Sequence, residues 1–195
     1  LSPREISRMS VCKVTETTLY YRGLPASQGL LDPLMGTVDR RHLCATCQND
    51  ARFCQGHIGH IELAFPVYHI GFVDTVLKTL RQVCFCCSKL CISTEERTTL
   101  GDLTGKARHT ALHNMVRNRK TCMHCGMTRP SMSRTGLGIK VDWPSGIEWE
   151  NDEEQQYCTA PFTAREALSI LQNIPRSDLE IMGFDPTKSH PMNMI

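Results

Sequence analysis

Cys44-Ala45-Thr46-Cys47, joined by a six-residue spacer to Cys54-Gln55-Gly56-His57, and Cys84-Phe85-Cys86-Cys87, answered far downstream by Cys122-Met123-His124-Cys125, decide how this chain is read. A Cys-x-x-Cys turn places two thiolates on one side of a tight loop, and two such turns complete a tetrahedron. The first set, Cys44, Cys47, Cys54 and His57, is compact, whereas the second, Cys84, Cys87, Cys122 and Cys125, is split by a long insertion. Two structural Zn2+ ions are the expected cofactors, and the chain is not expected to fold properly without them. His60 competes with His57 for the fourth place in the first set; Gly56 before His57 favours the tight knuckle and leaves His60 to start a strand. Cys86 and Cys91 are spare thiols able to substitute in the second set, while Cys12 and Cys158 lack partners and read as buried thiols. Gly126, directly after Cys125, permits the left-handed turn that a zinc knuckle often requires.

Outward from these motifs, 195 residues suffice for one domain or two small ones, with about 70% of the unfolded chain's surface buried. Aromatic residues make up only 6% of the chain and few segments could build a deep core, so the metals are expected to hold loop-rich parts that packing alone would leave loose. A structural zinc contributes an apparent binding free energy of about 10–16 kcal/mol, more than a typical domain's whole stability. No signal peptide, transmembrane run or lipidation motif is visible, and the 11 cysteines are odd in number, which points to a reducing compartment rather than a disulfide framework. The chain starts at Leu1 rather than an initiator methionine and stops just after a turn signal, so it is expected to be a piece of something longer.

Short elements surround the ligand sets. Ile61, Leu63 and Phe65 alternate with Glu62 and Ala64, which predicts a strand leaving the first set. Pro66 then opens a predicted helix whose stripe Ile70, Val73, Leu77, Leu80 and Cys84 delivers Cys84 to the second set, with Asp74, Lys78 and Arg81 facing outward. Ser93 with Glu96 resembles a capping box, and Ala107, Ala111, Leu112 and Met115 predict a second helix in the insertion. Leu137, Ile139, Val141 and Trp143 alternate as a strand. Thr163 with Glu166 caps a helix that Pro175 ends, and Ser177 with Glu180 starts a short one that Gly183 stops. Residues 144–161 read as a solvated loop, the acidic run from Glu148 to Glu154 included. The expected fold class is α+β: a small zinc-stabilised mixed domain, loop-rich, with two structural zinc sites and neither a βαβ rhythm nor an internal repeat.

The net charge is only +2, yet no Asp or Glu falls between Leu103 and Val141, where Lys106, Arg108, Arg117, Arg119, Lys120, Arg129, Arg134 and Lys140 all lie. Such a stretch is either a solvated helix face or a one-signed surface suited to phosphates. Arg40, Arg41 and His42, just before the first knuckle, add to the second reading, and Gly136 and Gly138 beside Arg134 would let backbone approach a phosphate. The candidate nucleic-acid contacts are therefore Arg40, Arg41, Arg117, Arg119, Lys120, Arg129 and Arg134. An enzyme reading is weaker. His60-Ile61-Glu62 with Cys84-x-x-Cys87 imitates the zinc-deaminase signature, but Val83 stands where that signature has proline, and six ligand-type residues would be left without a purpose. A thioredoxin-like role for Cys84-x-x-Cys87 fails because no βαβ unit surrounds it. No nucleophile elbow, phosphate loop or Asp-x-Asp-x-Asp cluster is present, so no catalytic residue is assigned.

Leu31-Asp32-Pro33-Leu34-Met35-Gly36, Cys54-Gln55-Gly56-His57-Ile58-Gly59-His60-Ile61 and Leu63-Ala64-Phe65-Pro66-Val67-Tyr68-His69-Ile70-Gly71-Phe72, together with the first cysteine pair, closely resemble the N-terminal clamp region of the largest subunit of multisubunit DNA-directed RNA polymerases, the eukaryotic and large-DNA-virus members above all. The likeness continues through Val83 to Leu90, Cys122 to Gly126 and the segments Thr163 to Asn173 and Ser177 to Phe184, and so covers nearly the whole chain. The family usually has Arg where Leu34 stands, Pro at Gln55 and Phe at Ile58, and often a longer insertion within the last cysteine pair. His69 and Gly71 are carried over only as packing positions.

The resemblance implies three parts within residues 1–195: N-terminal strands and the first zinc knuckle over 1–65, a helix, the second zinc site and a basic insertion over 66–143, and an acidic loop with C-terminal helices over 144–195. It implies a mobile clamp head that swings over the cleft of a nucleotidyltransferase and retains DNA and the RNA:DNA hybrid during transcription. Mg2+ chemistry belongs to an Asp-triad motif in the rest of such subunits, so this segment alone is not expected to polymerise RNA. The implied partners are the second-largest and other polymerase subunits and initiation and elongation factors, with no membrane; the implied location is the nucleus, or the virion or infected-cell cytoplasm for a large DNA virus. A free-standing zinc-binding nucleic-acid or protein adaptor that reuses this fold is the alternative.

Overall fold

Hydrophobic packing is distributed unevenly along this chain. The computed structural model describes residues 2–101, 103–147, 162–185 and 189–195, and the chain divides into two units, Leu1–Ala64 and Phe65–Ile195. Among the described residues of the first unit, the only buried apolar side chains are Cys12, Ala26 and Cys44. Its regular elements are correspondingly small. Helix α1 (Pro3–Met9) starts with a capping box, Ser2 Oγ accepting the Glu5 N–H at 3.3 Å while the Glu5 carboxylate accepts the Ser2 N–H at 2.7 Å, and buries nothing. Strand β1 (Cys12–Lys13) pairs in parallel with β4 (Gly59–His60), and β2 (Tyr20–Tyr21) forms a hairpin with β3 (Leu24–Pro25). Arg22 and Gly23 between them both have positive φ, 52° and 79°, the geometry that lets a two-residue hairpin follow the right-handed twist of its strands.

The strand predicted over Ile61, Leu63 and Phe65 does not form: β4 stops at His60 and all three side chains are exposed. Alternation supplies side chains for two faces but no hydrogen-bond partner. The neighbouring β1 chain turns away after Val14, whose N–H reaches the His60 carbonyl, because Thr15 and Glu16 both donate to Gln28 instead.

The second unit has a true core of Val76, Leu77, Leu80, Leu90, Ile92, Leu100, Leu112, Val116, Ile170, Leu171, Leu179 and Met182 with their neighbours. Helix α2 (Val73–Leu80) begins seven residues later than predicted. His69 donates its N–H to the Met194 carbonyl and gathers the N–H groups of Phe72 and Val73 on its own carbonyl, so the chain from Pro66 is held in a non-helical approach and Ile70 is left exposed. Cys84 accordingly sits on the loop after α2 rather than on the helix. Helix α3 (Thr94–Thr99) carries the predicted Ser93–Glu96 capping box, and α4 (Gly105–Arg117) is the predicted helix of the insertion. Strand β5 (Ser131–Thr135), too polar to stand out in sequence, pairs antiparallel with β6 (Gly138–Asp142), so Leu137 lies in the turn and Trp143 beyond the strand end. Helix α5 (Ala164–Gln172) has the predicted Thr163–Glu166 box. Helix α6 (Arg176–Met182) starts from Pro175, not from a Ser177–Glu180 box, because the fixed proline φ of −58° already sets the first turn; Gly183 at φ 85° ends it as expected. A 3-10 turn, Pro191–Met194, closes against α2 and α5, and α4 packs on α6. The acidic loop predicted over 144–161 lies outside the described residues from 148 onward. Among the described residues no helix is long and apolar enough to cross a membrane.

Arg129 fastens three pieces of this unit. Its guanidinium donates to the carbonyls of Val116 (2.8 Å) and Arg119 (3.3 Å), which lie at the end of α4, and to that of Arg81 at the end of α2. These are helix-end carbonyls that α-helical bonding leaves open. Arg129→Ala is expected to destabilise the chain by about 2–4 kcal/mol, since three carbonyls lose a charged donor at once; guanidinium unfolding at saturating metal measures it.

Candidate metal centres

Three segments of this chain make the same turn. In each Cys-x-x-Cys, the residue after the second cysteine returns its N–H to the first cysteine's carbonyl: Gln48 to Cys44 at 2.9 Å, Ser88 to Cys84 at 3.1 Å and Gly126 to Cys122 at 2.9 Å. In each, the first cysteine's N–H reaches the carbonyl five residues on: Asn49, Lys89 and Met127 at 2.9, 2.9 and 2.8 Å. The returning residue has positive φ every time, 58° at Gln48, 56° at Ser88 and 75° at Gly126. Reversing the chain this tightly needs one left-handed residue, which glycine adopts freely and other residues at a cost of about 1–2 kcal/mol.

The fourth turn, Cys54 to His57, is built otherwise. Asp50 accepts the Phe53 and Cys54 N–H groups on its carbonyl and grips Arg52 with its carboxylate at 2.8 Å, and Gly56 at φ 82° aims its N–H at Cys54 Sγ. Both turns of the first set hang on one strap. The successive carbonyls of Pro33, Leu34 and Met35 accept, respectively, the Ala45 N–H (2.9 Å), the Thr46 hydroxyl (2.6 Å) and the His57 N–H (2.8 Å). The strap is in turn fixed by Asp32, only 3% exposed, whose carboxylate accepts the N–H groups of Gln28 and Leu34. Burial opposes its ionisation, but those two N–H groups and the Cys12 thiol outweigh burial and hold the carboxyl below its usual range. The Leu31 to Gly36 motif thus has a physical task beside the first ligand set.

The ligand atoms converge in both sets. Cys44, Cys47, Cys54 and His57 each offer an atom within 4.8 Å of the others, and so do Cys84, Cys87, Cys122 and Cys125. Four thiolates about 2.3 Å from a central zinc would stand about 3.8 Å apart along the tetrahedron's edges. The observed Cys84–Cys125 and Cys87–Cys122 sulfur separations are 3.5 and 3.8 Å, and Cys54 Sγ lies 3.8 Å from His57 Nε2. Donor type, number and spacing fit tetrahedral zinc. Ionisation is uneven within each set: burial would raise the Cys44 and Cys122 thiols, but backbone N–H groups from Cys47 and Thr46, and from His124 and Cys125, prevail and bring each to about 6, whereas burial and the neighbouring thiols push Cys54, Cys84 and Cys87 up.

Of the residues weighed against these ligands, His60 bonds Ser10 Oγ at 2.7 Å and Glu62 pairs with Lys13, so neither serves a deaminase-like centre. Cys86 is exposed outside the set, Cys91 is buried beside Lys89, Cys12 is buried near Asp32, and Cys158 lies outside the described residues. The supports that sequence reasoning missed are Asp178 and His124, which take the N–H and the carbonyl of Leu90 beside the second set. Only the fold brings Asp178 next to Leu90, so no local signal marks it.

The basic candidates separate into two kinds. Arg129 is turned inward as described, Arg119 pairs with Glu96 at 2.6 Å, Arg134 pairs with Asp74 at 2.7 Å and donates to the Gly136 carbonyl, and Arg41 lies 3.7 Å from Asp39. Arg40, Arg117 and Lys120 are exposed. Arg117, Arg119, Lys120 and Arg129 line a groove of about 1160 Å³ together with Leu80, Val83 and Val116.

Comparison with known proteins places this geometry in context. A model of the family described as RNA polymerase Rpb1, domain 1, matches residues 1–195. The chain is 35% identical over 206 aligned positions to the DNA-directed RNA polymerase II subunit RPB1 of Euplotoides octocarinatus, covering 98% of this chain and 42% of that protein. It is 32% identical over 207 positions to the DNA-directed RNA polymerase subunit Rpo1N of Thermococcus celer, covering 100% of this chain and 22% of that protein. The chain therefore spans less than half the length of either relative.

Gly126→Ala is expected to destabilise the second centre's turn by about 1–2 kcal/mol through backbone strain alone, since a Cβ there meets nothing within 4 Å. Gln48→Gly, which relieves the same strain in the first centre, is expected to be neutral or stabilising. Guanidinium unfolding at saturating metal checks both.

Proposed function

The chain belongs to the RNA polymerase Rpb1, domain 1, family, and from that premise we propose that it works as the clamp region of a DNA-directed RNA polymerase's largest subunit. In this reading each ligand set holds one structural Zn2+, and the two rigid centres present basic side chains to DNA and the RNA:DNA hybrid in the cleft of a nucleotidyltransferase. The single observation that carries it is the family match over residues 1–195 on a chain whose eight ligand-type residues converge in two sets of four. Phosphates, rather than base edges, are the natural target of cations on such a surface, so the contact positions nucleic acid without reading its sequence. Catalytic Mg2+ is held elsewhere in the subunit. The second-largest and other polymerase subunits and initiation and elongation factors are its partners, and the nucleus is its place of work.

The sets of exposed and internally paired cations sharpen the proposal. Arg40, Arg117 and Lys120 are the side chains offered to phosphates, with Arg41, Arg119 and Arg134 reached by exchanging an ion pair; Arg129 serves the fold first.

Elemental analysis of the purified chain is expected to give two zinc equivalents, falling to one in Cys54→Ser and in Cys125→Ser; fewer than two in the unsubstituted chain would sink the zinc reading. Duplex DNA binding is expected to weaken with salt, and Arg117→Ala and Lys120→Ala each to lower the slope of log affinity against log salt by about 1. A salt-independent affinity counts against the nucleic-acid face.

A further inference from the structure

We propose that His124 and Asp178 are positioning residues for the second metal centre. They grip the backbone of Leu90 from both sides and hold the two halves of that centre at ligand spacing, so that it fills before the first centre and empties after it. The inference rests on the reading that each set holds zinc.

Leu90 is three residues past Cys87 and bridges to Val83, the residue before Cys84, so it closes the first half of the centre. Its side chain is fully buried in the core. Its N–H is taken by Asp178 Oδ2 at 2.8 Å, a carboxylate that is 3% exposed and whose other oxygen pairs with Arg97 at 2.7 Å. Its carbonyl lies 3.0 Å from His124 Nε2. A carbonyl can only accept, so Nε2 carries the proton and donates it. His124 stands between Cys122 and Cys125, and its ring therefore ties the second half of the centre directly to the first. Arg129, four residues after Cys125, makes a further tie to the Arg81 carbonyl, three residues before Cys84.

The first centre is held differently. Its two turns meet through the Pro33 to Met35 strap, in a unit with only three buried apolar side chains among its described residues. Where a site is not formed beforehand, part of the metal's binding free energy goes into ordering the chain, and apparent affinity falls accordingly. In the second unit Cys84, Leu90 and Cys122 already belong to the packed core. Outer partners that orient metal ligands typically change affinity 10–100-fold.

The test is zinc release from the intact, fully loaded chain into a chromogenic chelator. Two phases are expected, the fast one absent from Cys47→Ser and the slow one from Cys87→Ser. His124→Ala should accelerate the slow phase by about tenfold or more while leaving the fast phase unchanged, and His124→Gln, whose amide can donate to the same carbonyl, should restore most of the difference. In the cobalt-loaded chain, the thiolate-to-metal absorption of the second centre should change in His124→Ala with the far-ultraviolet circular dichroism unaltered. Asp178→Asn, which still accepts the Leu90 N–H but loses the Arg97 charge pair, should act in the same direction. If that variant fails to fold, the exposed His124 still decides the matter. Release in one phase, a slow phase indifferent to His124→Ala, or equal acceleration of both phases overturns the proposal while leaving the zinc reading intact. Fewer than two bound equivalents overturns the zinc reading itself.

Discussion

A backbone exchange repeated three times, one N–H returned to the first cysteine and one carbonyl offered back to it, is the constraint on which both candidate centres depend. It fixes the two thiols of a turn on one side of the chain and spends a left-handed residue to do so. Once those turns are made, little freedom remains in the ligand sets, and what the rest of the protein must supply is the relation between one turn and the next. Backbone groups that would otherwise be orphaned in a loop-rich chain are satisfied inside the turns, which is why so little regular secondary structure is needed around them.

The two units solve that relation with different physics and the same device. In the first, where packing is scarce, three consecutive carbonyls from Pro33 to Met35 carry both turns, and a buried Asp32 holds the strap by accepting N–H groups. In the second, a core of helices carries the turns, and a buried Asp178 again accepts a backbone N–H next to the ligands. A carboxylate is a strong acceptor of backbone N–H groups, and burying it is tolerable only when every oxygen is used. Both aspartates meet that condition, Asp32 with two N–H groups and a thiol, Asp178 with an N–H and a guanidinium.

What could be read from sequence was whatever is encoded within a few residues. The four ligand pairs and the Ser93–Glu96 and Thr163–Glu166 boxes depend on spacings of three and the Gly183 stop on a single residue, and the structure has each of them. Failures came where the deciding partner lies far along the chain. Ile61 to Phe65 alternate like a strand, but whether they pair depends on where Thr15 and Glu16 send their N–H groups, and those go to Gln28. The start of α2 depends on His69 reaching Met194, the hairpin of β5 with β6 on a polar segment finding its mate, and the support of Leu90 on a residue 88 positions away. The Leu31 to Gly36 motif was legible as a resemblance, yet its task as a strap emerges only from the three carbonyls it presents.

The same distinction governs the basic stretch from Leu103 to Val141. Counted along the chain it has no acid, but folding returns acids to it from outside: Glu96 to Arg119, Asp74 to Arg134 and Asp142 to Lys140. Arg108 and Arg129 turn toward backbone carbonyls instead, Arg108 to Leu103 at 2.6 Å. The cost of partly desolvating a guanidinium is offset when several carbonyls are aligned, because its fork of donors serves them together. A run of arginines therefore overstates the charge available at the surface, and exposed side chains such as Arg117 and Lys120 carry charges that added salt screens.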